Sequence, residues 1–236
     1  MELGYGAGAL GEYPWHLDGT KPWTDQDSKA AMDCLMALDG LGINWIDTAR
    51  RYGGGKSEEL IGLAIRSGCL KQIITKIEVN SPEKMRKSLE ESVAAIGKRP
   101  DVLLLHDPDL SSPDTPDVVR WLLKQDATRH GFSSEPSDDL ARWYDLYNLT
   151  AIEFPCSITD WRAERILAHW LNGRDPILKV ANRTLGGPEK KDRDIKSAMD
   201  YVLSCRAWID MALIGTTNME HLIECVSIFG KIREGL

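Results

Sequence analysis

The feature that most constrains this chain is a rhythm. Short apolar runs alternate strictly with longer segments whose apolar residues recur at helical spacing. The runs are LGYGAGAL, INWID, QIITK, DVLLLH, RHGFSS, TAIEF, PILKVA and MALIGT. DVLLLH, apolar at nearly every position, suits a strand covered on both faces. Between and after the runs lie eight amphipathic segments, from DSKAAMDCLMALDGLG to NMEHLIECVSIFG. Strands that alternate with helices predict a parallel sheet, and eight such units predict a closed (β/α)8 TIM barrel of the α/β class. An open doubly wound sheet is the other topology that fits. No linker or break in composition interrupts the rhythm, so residues 1–236 read as a single domain.

Punctuation supports the same elements. Ser57 is a natural N-cap, and Gly68 a stop, for SEELIGLAIRSG. Ser81 followed by Pro82 opens the next helix, which Gly97 ends. Gly4, Gly6 and Gly8 lie two apart with no capped helix directly after them. They suit a strand that another backbone or a cofactor approaches, rather than a dinucleotide fingerprint. Two long polar loops interrupt the pattern, residues 11–23 and 183–194. Trp15 and Trp23 in the first read either as loop packing or as a lid, and EKKDRD in the second as a solvated loop or a flap.

Composition excludes several classes of partner. The formal net charge of −7 argues against nucleic acid and against an anionic membrane surface, both of which need a basic face. No apolar run reaches the roughly 18 residues of a membrane span, and no basic, then apolar, leader opens the chain. Five scattered cysteines without a CxxC pair read as reduced thiols of a cytoplasmic protein. No cysteine or histidine spacing suggests a metal site.

In a barrel of this kind, chemistry sits at the C-terminal ends of the strands. Those ends carry Asp47, Lys76, His106, Ser133, Glu153, Asn182 and Thr216, with Tyr52 in the loop after Asp47. Three neighbouring strands thus deliver an acid, an ammonium and an imidazole beside a phenol. A tyrosine donates a proton poorly near neutrality, because its pKa is about 10. A lysine beside it stabilises the phenolate, an aspartate holds the lysine, and a histidine can orient a carbonyl. No side chain carries a hydride, so a nicotinamide would have to supply it.

Five segments, NWIDTARRYGGGKSEELIG, IITK, DVLLLHDPD, HGFSS and LIGTTNMEHLIE, resemble in chain order the signature segments of the aldo-keto reductases. The resemblance spans the chain from first strand to last helix. It implies Asp47, Tyr52, Lys76 and His106 as the catalytic tetrad, with Tyr52 as general acid. It implies NADP or NAD as cofactor and a small carbonyl or alcohol substrate. The nicotinamide amide would meet Ser133 and Glu153, and the diphosphate would lie near Leu185 and Gly187. The adenosine end would lie near Gly215, Thr216, His221 and Glu224. The chain departs from the family pattern at Ser134, where Asn is usual, at Glu153, where Gln is usual, and around the adenosine phosphate, where His221 stands instead of Arg or Lys. It reads as a short member, without the long C-terminal substrate loop. Oligomeric state stays open, a homo-oligomer included. Two other readings remain: a lyase that forms a Schiff base on Lys76, and a degenerate barrel that binds cofactor or partner without turnover.

Overall fold

Each apolar run becomes a strand and each amphipathic segment a helix. The computed structural model describes residues 1–11, 22–186 and 194–235. In chain order the strands are β1 (Glu2–Gly6), β2 (Trp45–Asp47), β3 (Gln72–Glu78), β4 (Val102–His106), β5 (Arg129–Ser133), β6 (Ala151–Pro155), β7 (Leu178–Asn182) and β8 (Met211–Ile214). The helices are α1 (Asp25–Ala37), α2 (Lys56–Arg66), α3 (Pro82–Ile96), α4 (Thr115–Leu122), α5 (Asp139–Tyr147), α6 (Arg162–Leu171), α7 (Ile195–Ser204) and α8 (Met219–Glu234). All neighbouring strands are parallel, and β1 also pairs with β8, Glu2 opposite Met211, so the sheet closes into a barrel.

Alternation along each strand sorts the side chains into two cores. One set fills the barrel interior: Ile74, Val102, Leu104, Ala151, Val180, Met211 and Leu213 form a cluster drawn from strands alone. The opposite set, such as Tyr5, Ile46, Ile73, Leu103, Phe132 and Phe154, packs outward against the helices. Gly4 falls at an interior position. A Cβ there would lie 2.8 Å from both Leu213 Cδ2 and Met211 Sδ, so glycine leaves the room that those two side chains fill.

Some local details differ from the sequence expectation. Ser57 is not the cap of α2. It lies inside the helix, fully buried, and its hydroxyl bonds to Thr48 Oγ1 at 2.8 Å and to the Ala7 carbonyl at 3.0 Å. Gly55, in a left-handed conformation, precedes the helix instead. The first run is a shorter strand than expected and ends in a 3-10 turn over Ala7–Ala9. The last helix runs through Gly230 and is capped by Gly235. The Trp23 indole N–H donates to Ser28 Oγ at 2.7 Å and its ring rests on the core. Trp15 lies outside the described residues, as does nearly all of EKKDRD.

Candidate active site

The site is built from the interior face of the strands at their C-terminal ends. Lys76 continues the interior parity of Ile74, His106 that of Val102 and Leu104, Glu153 that of Ala151, and Asn182 that of Val180. The polar layer therefore caps the apolar barrel core. Asp47 ends β2, after which the chain continues along β3 through Thr48 N to Ile74 O at 2.8 Å and Arg50 N to Lys76 O at 3.2 Å. It then turns sharply over residues 52–55. Gly53 has φ 56°, and a Cβ there would lie 2.5 Å from the Leu10 carbonyl. The glycine run thus lets Tyr52 sit over the barrel while its turn is pressed against the end of the first segment.

Lys76 is the centre of the cluster. Its ammonium is buried, donates to Asp47 Oδ1 and to the Thr48 carbonyl at 3.0 Å, and lies 3.4 Å from the Tyr52 hydroxyl. It also lies 3.2 Å from Glu153 Oε2, an ion pair whose angle is too poor for a hydrogen bond. Burial alone would strip the proton from such a lysine; Asp47 and Glu153 outweigh that and raise its pKa, so it stays an ammonium. Burial lifts the Tyr52 hydroxyl above its ordinary value, Lys76 opposes that, and the two carboxylates add to it. The Asp47 carboxyl is held well above the usual carboxylate range, by burial first and Glu153 second, with Lys76 pulling the other way.

His106 completes the tetrad. Its ring meets that of Tyr52 edge to face, with centroids 5.8 Å apart. Burial pushes its pKa down to about 2, helped by the positive charges of Lys76, Arg51 and Arg183. The ring is therefore neutral near pH 7, with one nitrogen carrying a hydrogen that it can donate to a carbonyl oxygen. Among the described residues, the four tetrad side chains predicted from sequence are all brought together.

The Glu153 carboxylate is almost fully buried. Oε1 accepts from Asn182 Nδ2 at 2.7 Å and from Ser133 Oγ at 3.3 Å, and Oε2 faces Lys76. His106 Nδ1 and Asn182 Oδ1 are buried with no hydrogen-bond partner among the described residues. Orphaned polar atoms of this kind are costly unless a ligand completes them. An amide –NH2 can donate to Asn182 Oδ1, so the layer fits a carboxamide-bearing group such as a nicotinamide. The remaining expected cofactor residues are less gathered. Leu185 packs partly against the core, and Gly187 lies outside the described residues. Gly215 and Thr216 follow β8, with the Thr216 carbonyl accepting from Tyr5 Oη at 2.6 Å. His221 and Glu224 are exposed on the first turns of α8, whose Asn218 cap accepts from His221 N at 3.1 Å.

Sequence reasoning placed Asn182 at a strand end without giving it a role, and it passed over Arg51 and Arg183. Arg51 lies 3.1 Å from Asp107, and Arg183 lies 3.2 Å from Glu135. Asp107 and Arg183 each directly follow a site strand, with φ 48° and 52°, a left-handed conformation uncommon for residues other than glycine. Strand parity with Val180 would have found Asn182; nothing in the sequence shows the two left-handed φ angles. Among the described residues, no group of three or more His, Cys, Asp or Glu could hold a metal ion, and no helix is long and apolar enough to cross a membrane.

Comparison with known proteins agrees with this fold. The family description "Aldo/keto reductase family" matches residues 2–181. An uncharacterized oxidoreductase of Schizosaccharomyces pombe is 25% identical over 256 aligned positions, covering 97% of this chain and 81% of that protein. The aldo-keto reductase YhdN of Bacillus subtilis is 38% identical over 65 residues, which cover 28% of this chain and 19% of that protein's length. The fold is similar to that of an aldo/keto reductase from Klebsiella pneumoniae in complex with NADP and acetate. The TM-score is 0.76 at 18% identity, covering 96% of this chain and 85% of that one. With the family match running over most of its length and the barrel closed, this chain belongs to the aldo/keto reductase family.

Proposed function

We propose that this chain is an NAD(P)H-dependent oxidoreductase that interconverts an aldehyde or ketone with its alcohol, with Tyr52 as the general acid. The observation that carries this reading is the unbroken contact from buried Asp47 through buried Lys76 to the Tyr52 hydroxyl, with the neutral His106 ring beside it. A bound nicotinamide would supply or accept the hydride. The protein's own groups handle the proton and the oxygen. His106 donates a hydrogen bond to the carbonyl oxygen and fixes its position. As negative charge grows on that oxygen, Tyr52 delivers its proton, and the Lys76 ammonium stabilises the phenolate left behind. Asp47 keeps the ammonium in place. Asn182, Ser133 and Glu153 would hold the carboxamide edge of the cofactor. The crystallisation of the Klebsiella protein with NADP supports a nicotinamide here too. The reading carries with it a small-molecule substrate and a cytoplasmic setting.

The geometry favours this reading over a Schiff base on Lys76. A nucleophilic lysine must be neutral, and here two carboxylates hold the amine as ammonium. Fluorescence titration of the protein with NADPH and NADH, using its eight tryptophans, tests the cofactor. Tyr52→Phe tests the acid. Turnover should fall by about 10²–10⁴ while cofactor affinity stays within threefold. A variant that keeps most of its kcat removes Tyr52 from the role. A folded parent that binds neither cofactor leaves the degenerate barrel as the surviving account.

A further inference from the structure

The interior layer holds an unbalanced charge. Asp47 and Glu153 are both buried around a single ammonium, that of Lys76. The other titratable groups facing Glu153 are two phenols, Tyr52 in the turn after β2 and Tyr144 on α5. His106, beside Tyr52, is a neutral ring, and Arg51 and Arg183 near it are already paired with Asp107 and Glu135. With both carboxylates ionised the layer carries one negative charge too many. A buried net charge is costly unless a counter-charge arrives.

The two forms of a nicotinamide differ in charge at the ring: the oxidised ring is a cation and the reduced ring is neutral. With both carboxylates ionised, an oxidised ring seated on this layer would bring the local sum to zero, whereas beside a reduced ring one carboxyl must keep a proton to balance the layer. With a neutral residue at position 153 the order reverses. The oxidised ring would then leave one positive charge, and the reduced ring none.

We infer that Glu153 is a specificity-determining residue that gives the site a preference for the oxidised over the reduced nicotinamide, the form that the alcohol-oxidising direction consumes. The inference rests on the oxidoreductase reading and deepens it. In that direction the alcohol's C–H bond breaks and hydride leaves with its electron pair for the nicotinamide. The hydroxyl proton passes to the Tyr52 phenolate, and the carbon–oxygen double bond forms. The alcohol is oxidised and the cofactor reduced, so no further electron carrier is needed. A proton linkage accompanies binding. Burial and the neighbouring Glu153 hold the Asp47 carboxyl above the usual carboxylate range, and a cationic ring opposes that, so affinity for the oxidised form rises with pH while that for the reduced form does not.

The test is a tryptophan-fluorescence titration of the full chain with NADP+ and NADPH, and with NAD+ and NADH, at pH 7 and pH 9. Parent and Glu153→Gln are compared, with thermal unfolding to confirm that the variant is folded. The parent should bind the oxidised form the tighter. The ratio of reduced to oxidised Kd should fall at least tenfold in the variant, or ~1.4 kcal/mol. It should widen with pH in the parent and stay flat in the variant. A ratio that moves less than threefold on substitution overturns the inference while leaving the oxidoreductase reading intact. If the variant fails to fold, the pH dependence of the parent decides alone, and a flat ratio overturns it. Binding of neither form to a folded parent overturns the inference together with the reading beneath it.

Discussion

Replacing Lys76 by Met isolates what the ammonium does for the fold. Lys76 is fully buried, bonded to Asp47 Oδ1 and the Thr48 carbonyl, and 3.2 Å from Glu153 Oε2. Methionine keeps most of the volume, so the packing loss is small. What is lost is the counter-charge of two buried carboxylates. Removing one partner of a buried ion pair costs about 3–5 kcal/mol, a large part of a total stability of about 5–15 kcal/mol. For a chain of this length that corresponds to a Tm lower by roughly 6–20 °C. The loss must depend on pH with a definite sign. Without the ammonium, the folded state can keep both carboxyls in the layer only by protonating them. Asp47 is already shifted upward in the parent, by burial and by Glu153. The folded variant therefore binds more protons than its unfolded chain. Its deficit is smallest below the unfolded carboxyl pKa of about 4 and grows as pH rises through the raised folded value. Urea unfolding followed by tryptophan fluorescence between pH 5 and pH 8.5 measures this directly. Adding Glu153→Gln to the variant should recover more than about 1 kcal/mol at pH 8, because one of the two stranded charges is gone. A deficit below about 1 kcal/mol at pH 8 that is flat with pH would refute the reasoning. It would mean that the layer is wet and the charges are screened.

Three further expectations follow from single contacts. Tyr144→Phe strands the Phe132 N–H, which donates to the Tyr144 hydroxyl at 3.0 Å, and the Ala151 carbonyl that this hydroxyl bonds; denaturant unfolding should show a loss of about 1–3 kcal/mol. Gly53→Ala forces a side chain onto a left-handed φ of 56° with a Cβ only 2.5 Å from the Leu10 carbonyl; a loss of about 1–3 kcal/mol in the same assay is expected, and a neutral result would show that the turn can relax. The His106 ring, held down to a pKa of about 2, should show an NMR Cε1–H shift that stays flat from pH 8 to pH 5, with His106→Gln assigning the resonance; a midpoint near 6.5 would mean that the ring is solvated.

The barrel was legible because its signal is distributed. Each of the eight runs is a weak strand by itself, but strict alternation with helices admits few topologies. Local chemistry was less legible wherever a side chain had two uses. Ser57 has the residue type and place of an N-cap, yet Thr48 Oγ1 and the Ala7 carbonyl claim its hydroxyl, and Gly55 opens the helix without a side-chain cap. The four clustered side chains were legible because Asp47 and His106 end their strands, Lys76 lies two residues short of the end of β3, and Tyr52 sits in the turn after β2.

Glu153 shows what strand-end reasoning alone omits. The family resemblance set it beside the nicotinamide amide, and the structure makes it the second carboxylate of Lys76 as well. The two residues lie on strands β3 and β6, which are not neighbours in the sheet. They meet because the interior of an eight-stranded barrel is only as wide as the side chains that fill it. Parity makes this a usable rule. Lys76 follows Ile74 and Glu153 follows Ala151, both members of the interior cluster, so the two charges enter one buried layer from non-adjacent strands. A charge at interior parity near a strand end must therefore be matched by another strand's side chain, by a proton or by a ligand. Here two carboxyl groups share one ammonium, so a proton or a cationic ligand is left to balance the layer.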